Sequence, residues 1–397
     1  MTPSRGRRRG SRSELLIGGW FSLFDFYLGS YSAGIRPFDL LGAGLLGVMR
    51  LSDGSAPSRW SSWRRIGVGL VVGVMTWALL LSLLQDPSKS WKPVAGVVLG
   101  LMVFILTCSR PARPSTVEQL TRVLILVHAS ALVIQFVWYR LTGAIVNFHA
   151  ITGGDPRLVG AFFRPAGLFL EPSLFSICMT MLVMLRFRAV RQLDAICVCA
   201  LASMLLSLSL LGVAAVVYLL VRARPVIGAI VLSVVVAAGA VVVSQLPRDG
   251  AIYSLILTRV TNLGSDNSAQ YRFGGLFSAN DEFGLVAWLF GGGIGYNYVA
   301  LGSSGVGFVI AAVGVVGMAL FLLGLSLGAS RRDRLTAPLD VLFLLLGAPF
   351  WTFFLWWWWL ASLLSVRGPV RSFMKALTPE PRGSGFVPQI PFNVQPD

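Results

Sequence analysis

Long apolar runs constrain this chain more than any other feature of it. A helix needs roughly 20 mostly apolar residues to cross a bilayer, and runs of that kind recur from Leu15 to Val366. Hydrophobic residues make up 55% of the 397 residues and charged residues only 13%. The mean hydropathy is +0.74, and the few charges cluster between the runs. The expectation is an all-α polytopic membrane protein, not a soluble globule.

The net charge of +16 invites a nucleic-acid reading, but its distribution argues against one. Basic residues sit in short loops and at the two tails, which is an orientation signal for a membrane protein. Residues 1–14 carry Arg5, Arg7, Arg8, Arg9 and Arg12 and read as a cytoplasmic tail. No clear small-residue cleavage site follows the next apolar stretch, so the basic start is read as uncleaved.

Taken in order, the spans are expected at Leu15 to Tyr31, Phe38 to Met49, Ile66 to Leu84, Val94 to Thr107, Leu120 to Tyr139 and Leu174 to Leu185. Leu193 to Val221 is too long for one crossing. Basic clusters at Arg186 to Arg191 and Arg222 to Arg224 flank it and require an even number of passes, so a break is expected near Ser207-Leu-Ser209. Pro225 to Val243 and Val306 to Leu327 follow. Leu339 to Val366 is read as two short helices broken at Gly347-Ala-Pro349, with Trp356 to Trp359 near a membrane interface, where indoles are favoured. The domain 15–366 then has about 12 transmembrane helices, both termini cytoplasmic, and two long outer loops at about 140–171 and 245–305. Residues 367–397 read as a disordered cytoplasmic tail.

Cysteine and histidine offer little chemistry. The four cysteines lie in or beside apolar runs, and Cys197 and Cys199 point in different directions on a helix. With only two histidines, neither a metal site nor a cofactor is expected. His128, inside a span, reads as a packed neutral histidine. The glycine-rich Phe290-Gly-Gly-Gly-Ile-Gly-Tyr-Asn297 could bring backbone N–H groups to a phosphate, but reads better as a flexible turn.

Arginine stands out on the other side of the membrane. Nine of the 33 Lys and Arg fall outside in this topology, and six of them occupy the two long loops: Arg140, Arg157, Arg164, Arg248, Arg259 and Arg272. The first loop closes on Arg164-Pro-Ala-Gly-Leu-Phe-Leu-Glu171-Pro172-Ser173, which leads into an apolar run. Charges where water gives way to lipid are functional by default. Pro172 also suits the first turn of a helix, with Glu171 and Ser173 as capping groups. A guanidinium fork grips phosphate bidentately without a metal, and Glu171 or Asp266 could take a proton from an acceptor. Outer arginines, a carboxylate and no metal suit glycosyl transfer from a lipid diphosphate sugar; binding of lipid headgroups is the plainer alternative.

The stretch Arg164-x-x-Gly167-x-x-x-Glu171-Pro172-Ser173 resembles the signature of Wzy-type O-antigen and exopolysaccharide polymerases. Ser268-x-x-x-Arg272, with Leu289-Phe-Gly-Gly-Gly-Ile-Gly295, is similar to that family's second outer loop. Gly314 to Phe321 resembles the helix beyond it. The resemblance implies an integral-membrane, GT-C-like glycosyltransferase of the bacterial inner membrane. It would move a growing glycan from undecaprenyl diphosphate onto the next lipid-linked repeat unit at the periplasmic face. By position, Arg164 and Arg272 would engage the diphosphate, Glu171 would orient the sugar or act as base, and Arg259 would assist. Arg157, Asp266 and Ser268 are the remaining substrate-binding candidates. Besides the lipid-linked oligosaccharide and membrane lipids, the implied partners are a chain-length regulator and a flippase of the same pathway. Ser207-Leu-Ser209-Leu departs from the family pattern, lacking the basic residue that relatives often carry after the serine.

Two rival readings accompany this one. The O-antigen ligase shares the helix plan but carries a histidine before the helix equivalent to Val306 to Leu327, where this chain has Ser303 and Ser304. A flippase or transporter for the same lipids should concentrate polar groups and broken helices at the midplane, whereas here they lie in outer loops.

Overall fold

The computed structural model describes residues 18–21, 37–52, 60–85, 87–109, 113–148, 158–159, 162–169, 171–226, 284–294, 305–346 and 354–366, with isolated positions between 228 and 237. Its helices are α1 (Pro37–Ser52), α2 (Ser62–Gln85), α3 (Pro87–Cys108), α4 (Pro114–Thr142), α5 (Pro172–Val190), α6 (Ala195–Leu206), α7 (Leu210–Ala223), α8 (Leu285–Phe290), α9 (Gly305–Gly328), α10 (Thr336–Leu345) and α11 (Phe354–Ser365). Among the described residues the all-α expectation holds apart from one antiparallel hairpin, β1 (Leu158–Val159) and β2 (Phe162–Phe163), which pairs Leu158 with Phe163.

Four of these helices are long and apolar enough to cross a membrane: α2, α4, α5 and α9. Six further described segments are apolar but shorter. This is the composition of a membrane-embedded helical protein, in which backbone groups are satisfied within each helix. The expected segments Leu15 to Tyr31 and Pro225 to Val243 lie largely outside the described residues.

The helices start and stop where the sequence places its punctuation. Pro114 and Pro172 open α4 and α5, where a missing N–H costs nothing. Gly143, at φ 69°, closes α4 by donating its N–H to Tyr139 O at 2.9 Å. Asp194 caps α6 by accepting from Cys197 N at 3.1 Å. The break expected near Ser207-Leu-Ser209 is present between α6 and α7, with Leu208 in the left-handed region at φ 52°. Helices also flank the break expected at Gly347-Ala-Pro349, which itself lies outside the described residues.

Helix α5 is the hub. It packs against α4, α6, α7, α10 and α11, and 78% of its apolar window is buried, against 39% for α2. On the far side, α2 and α9 cross so closely that a Cβ on Gly67 would lie 2.2 Å from Gly328 N. Small residues at a helix crossing allow this approach.

Three sequence expectations need correction. Arg186 and Arg188 lie on α5, only 3% and 1% exposed, rather than in a loop beyond it. They are tolerated because carboxylates face them: Arg188 reaches Asp340 on α10 at 3.1 Å, and Arg186 forks onto Asp194 at 3.0 and 3.1 Å. The four tryptophans, 356 to 359, are at most 5% exposed, covered by protein and not presented to headgroups. Trp359 donates to Met181 O at 3.0 Å, and the Trp357 indole fills the space left by Gly100.

The described part of the glycine run, Phe290 to Ile294, is neither a phosphate cradle nor a flexible turn; Gly295 to Asn297 lie outside the described residues. The N–H groups of Gly291, Gly292 and Gly293 donate to Ala287 O, Ala311 O and Ala312 O at 2.7, 2.7 and 3.0 Å, and Ile294 N donates to Ser82 Oγ. Helix α9 is kinked at Gly314 (φ 73°, ψ 174°), and the extended segment 291–294 takes up carbonyls from the turn before that kink. A Cβ on Gly314 would stand 2.2 Å from Leu289 O, so a side chain there is excluded twice, by φ and by space.

Candidate functional site

The signature stretch does not stay at the surface. Residues 163 to 169 run back along one stripe of α4, antiparallel to it. Phe163 meets Tyr139 with ring centroids 4.7 Å apart, and Phe169 meets His128 at 5.0 Å. Between them, Ala166 N and Gly167 N both donate to Gln135 Oε1 at 2.9 Å, while Gln135 Nε2 donates to Val146 O at 2.9 Å. The positions 128, 132, 135 and 139 share one helix face. At 1.5 Å per residue the chain descends about 16 Å along α4 between these two ring contacts.

Gly167 makes the descent possible. Its φ is 60°, and a Cβ there would lie 3.2 Å from Leu132 N and 3.4 Å from His128 O. Its Cα therefore rests almost on the backbone of α4, in a conformation other residues disfavour. Irregular backbone at this depth is viable because it is enclosed by protein: Phe163, Pro165, Ala166, Gly167 and Phe169 are all buried.

Arg164 and Glu171 flank the docked turn, each half-buried. Glu171 occupies the position before α5 in extended conformation (φ −132°, ψ 140°) but makes no side-chain cap to that helix. Its carboxylate instead accepts from Ser173 Oγ at 3.2 Å. The capping alternative thus describes where Glu171 sits and not what its side chain does. Of the other candidates, Arg157, Arg259, Asp266, Ser268 and Arg272 lie outside the described residues.

The floor of this region is the break between α6 and α7. Ser176, in the first turns of α5, donates to Pro172 O at 2.9 Å and stands 3.3 Å from Ser207 Oγ. A Cβ on Gly212 would meet Ser176 Oγ at 2.8 Å and Met204 O at 2.7 Å. Small residues let the first turns of α5 and α7 lie side by side beneath Glu171, which fits packing as the role of the Ser207-Leu-Ser209 segment.

A second polar centre closes the opposite end of the bundle. Asp340, fully buried on α10, accepts from Arg188 at 3.1 Å and from Tyr218 Oη at 2.7 Å, and Arg222 Nε lies 2.8 Å away. Arg188 also donates to Leu363 O of α11 at 2.8 Å. Beside it, Asp333 takes Arg191 at 3.1 and 3.3 Å. Burial pushes the Asp333 carboxyl up, but Arg188, Arg191 and the Ser330 hydroxyl outweigh it and hold the carboxyl below its ordinary value. Asp194 is held down to about 2, chiefly by its hydrogen bonds from Arg186. The signals for this centre were an aspartate inside an apolar run and arginines in the last turns of others. Read one run at a time they resemble ordinary loop charges.

Among the described residues no group of three His, Cys, Asp or Glu side chains converges as a metal site. Together these features define a membrane-embedded helical bundle with a charged turn docked on α4 towards one end and a buried ionic centre at the other. Comparison with family models, curated proteins and solved structures gives no match.

Proposed function

We propose that this protein is a polysaccharide polymerase of the bacterial inner membrane. It would transfer a growing glycan from undecaprenyl diphosphate onto the next lipid-linked repeat unit at the periplasmic face. The observation that carries this reading is the docked turn, which holds an arginine and a glutamate either side of the buried Ala166-Gly167 pair at one end of the bundle. In this role Arg164 grips the diphosphate leaving group with its planar fork, joined by Arg272 from the second loop. Glu171 either takes the proton of the acceptor hydroxyl or orients the sugar. Arg157, Arg259, Asp266 and Ser268 complete the substrate set. About twelve spans with both termini cytoplasmic put this end outside and the ionic centre of Arg188, Arg222 and Asp340 inside.

The ligase reading draws on the same turn and is disfavoured by Ser303 and Ser304, where a ligase carries histidine. A transporter would place its charged groups near the midplane, whereas Arg188 and Arg222 occupy the last turns of their helices.

A deletion strain separates the three. Loss of a polymerase leaves single repeat units that are still made and exported; loss of a ligase strands long chains on the lipid carrier; loss of a flippase leaves units on the cytoplasmic side. Deletion and Glu171→Gln are both expected to give short, exported, unpolymerised units. Long lipid-linked chains in either strain would sink the polymerase reading and favour the ligase.

A further inference from the structure

Gln135 is a carboxamide, 2% exposed, on a helix long and apolar enough to cross a membrane. Polar side chains in such helices face the bundle interior and find partners there. The hydrogen bonds of Gln135 run to both ends of the first outer loop. Its N–H holds Val146 O at the loop's start, and its carbonyl takes the N–H groups of Ala166 and Gly167 at the loop's end. One side chain thus ties off the whole excursion between them. Arg164 stands two residues before this clamp and Glu171 four residues after it. Gly167 contributes the close approach that brings the turn within reach of the amide.

We infer that Gln135 is the positioning residue for the Arg164–Glu171 pair. Its amide sets the depth and separation of the guanidinium and the carboxylate without itself touching substrate. The consequence for catalysis rests on the polymerase reading; the clamp itself does not. Catalytic groups displaced by about an ångström lose most of their effect, so a turn that slides on α4 should be inactive even in a folded protein.

Two substitutions separate positioning from space-filling. Gln135→Met keeps the volume but leaves the buried Ala166 and Gly167 N–H groups without this acceptor. Gln135→Glu keeps the acceptor. Its protonated carboxyl can also donate to Val146 O, whereas its ionised form sets an oxygen against that carbonyl.

The test uses the full-length chain, in nanodiscs for amide hydrogen exchange and in the deletion strain for polymer. In the wild type the 163–169 amides should exchange slowly. In Gln135→Met they should exchange at least about tenfold faster with the α5 peptides unchanged, and polymer should fall at least about tenfold at equal protein level. In membrane vesicles loaded with that strain's lipid-linked repeat units, Gln135→Glu should gain activity relative to wild type between about pH 8 and about pH 5.5, since burial raises a carboxyl pKa. A residue that only fills space gives no such profile.

Fast exchange with normal polymer in Gln135→Met overturns the inference while leaving the polymerase reading intact. Slow exchange in that variant shows that the amide does not hold the turn and overturns it too, as does a pH profile of Gln135→Glu parallel to wild type. If Gln135→Met fails to accumulate, that profile decides alone. A wild-type gene that restores no polymer to the deletion strain sinks the polymerase reading and this role with it, and the exchange result then speaks only for the clamp.

Discussion

At the scale of single residues, the two ends of the bundle use arginine differently. Arg188 is enclosed by acceptors from three elements, while Arg164 stands half-buried beside the docked turn. Lysine keeps the charge but loses the planar fork. Arg164→Lys is therefore expected to reduce polymer by at least about tenfold, roughly 1.4 kcal/mol in transition-state binding, at unchanged protein level. Polymer yield normalised to the immunoblot signal measures this, and normal polymer from both Arg164→Lys and Arg272→Lys would refute the diphosphate clamp. The Asp194–Arg186 pair makes a prediction about pH. The Arg186 guanidinium holds its folded carboxyl down to about 2, below the ordinary aspartate range. The pair therefore stabilises the fold fully above about pH 4, and that contribution fades as pH falls towards 2. Thermal unfolding in detergent should show Asp194→Asn less stable than wild type at pH 6, with the gap narrowing steadily as pH falls from about 4 towards about 2. A gap that stays constant across that range would refute a stabilising role for the ionised carboxylate.

At the scale of elements, Asp340 joins α5, α7 and α10, and Arg188 extends the tie to α11. Such a centre is weak evidence of net stability, because desolvating the ions offsets most of their attraction. Removing one partner is another matter. Asp340→Ala leaves Arg188 and Arg222 facing each other in a buried site, and the expected cost is about 3–5 kcal/mol. Loss of monodispersity in detergent, or a much lower unfolding temperature, reports it. Asp340→Asn keeps an acceptor and should fall between. The glycine run shows how the same elements misled sequence reading. A loop of three glycines is compatible with a phosphate nest, a hinge or a close-packed joint, and composition cannot separate them. What decided was the kink at Gly314, far along the chain, whose neighbouring carbonyls take up the loop's N–H groups.

At the scale of the molecule, the prediction is topological. Cysteines introduced at Asp155 and Asn267 should react with impermeant thiol reagents from the periplasm, while those at Ser61 and Ser330 should react only after the membrane is opened. Cytoplasmic labelling at either loop position would invert the arrangement and place the docked turn on the wrong side for polymerisation. Much of this scale was legible in the chain. The apolar runs, the proline at the start of α5 and the break at Ser207 to Ser209 follow from rules readable along the chain: bilayer thickness, the missing N–H of proline, and the basic clusters that flank a run too long for one crossing. The signature stretch stood out as a candidate site because charges beside an apolar run are conspicuous. Depth and partnership were not legible. Whether Phe169 stays in the loop or drops beside His128, whether Trp356 to Trp359 meet lipid or protein, and whether Arg188 is solvated or paired depend on residues as much as 257 positions away in sequence, the separation of Gly100 and Trp357. Burial of a polar or aromatic side chain is settled by what faces it, and in a helical bundle the facing surface belongs to another helix. The sequence by itself determined where this chain is helical and where it carries charge; only the tertiary structure decided which of those charges are paired, and that Gln135 of α4 reaches out to hold the turn between Arg164 and Glu171.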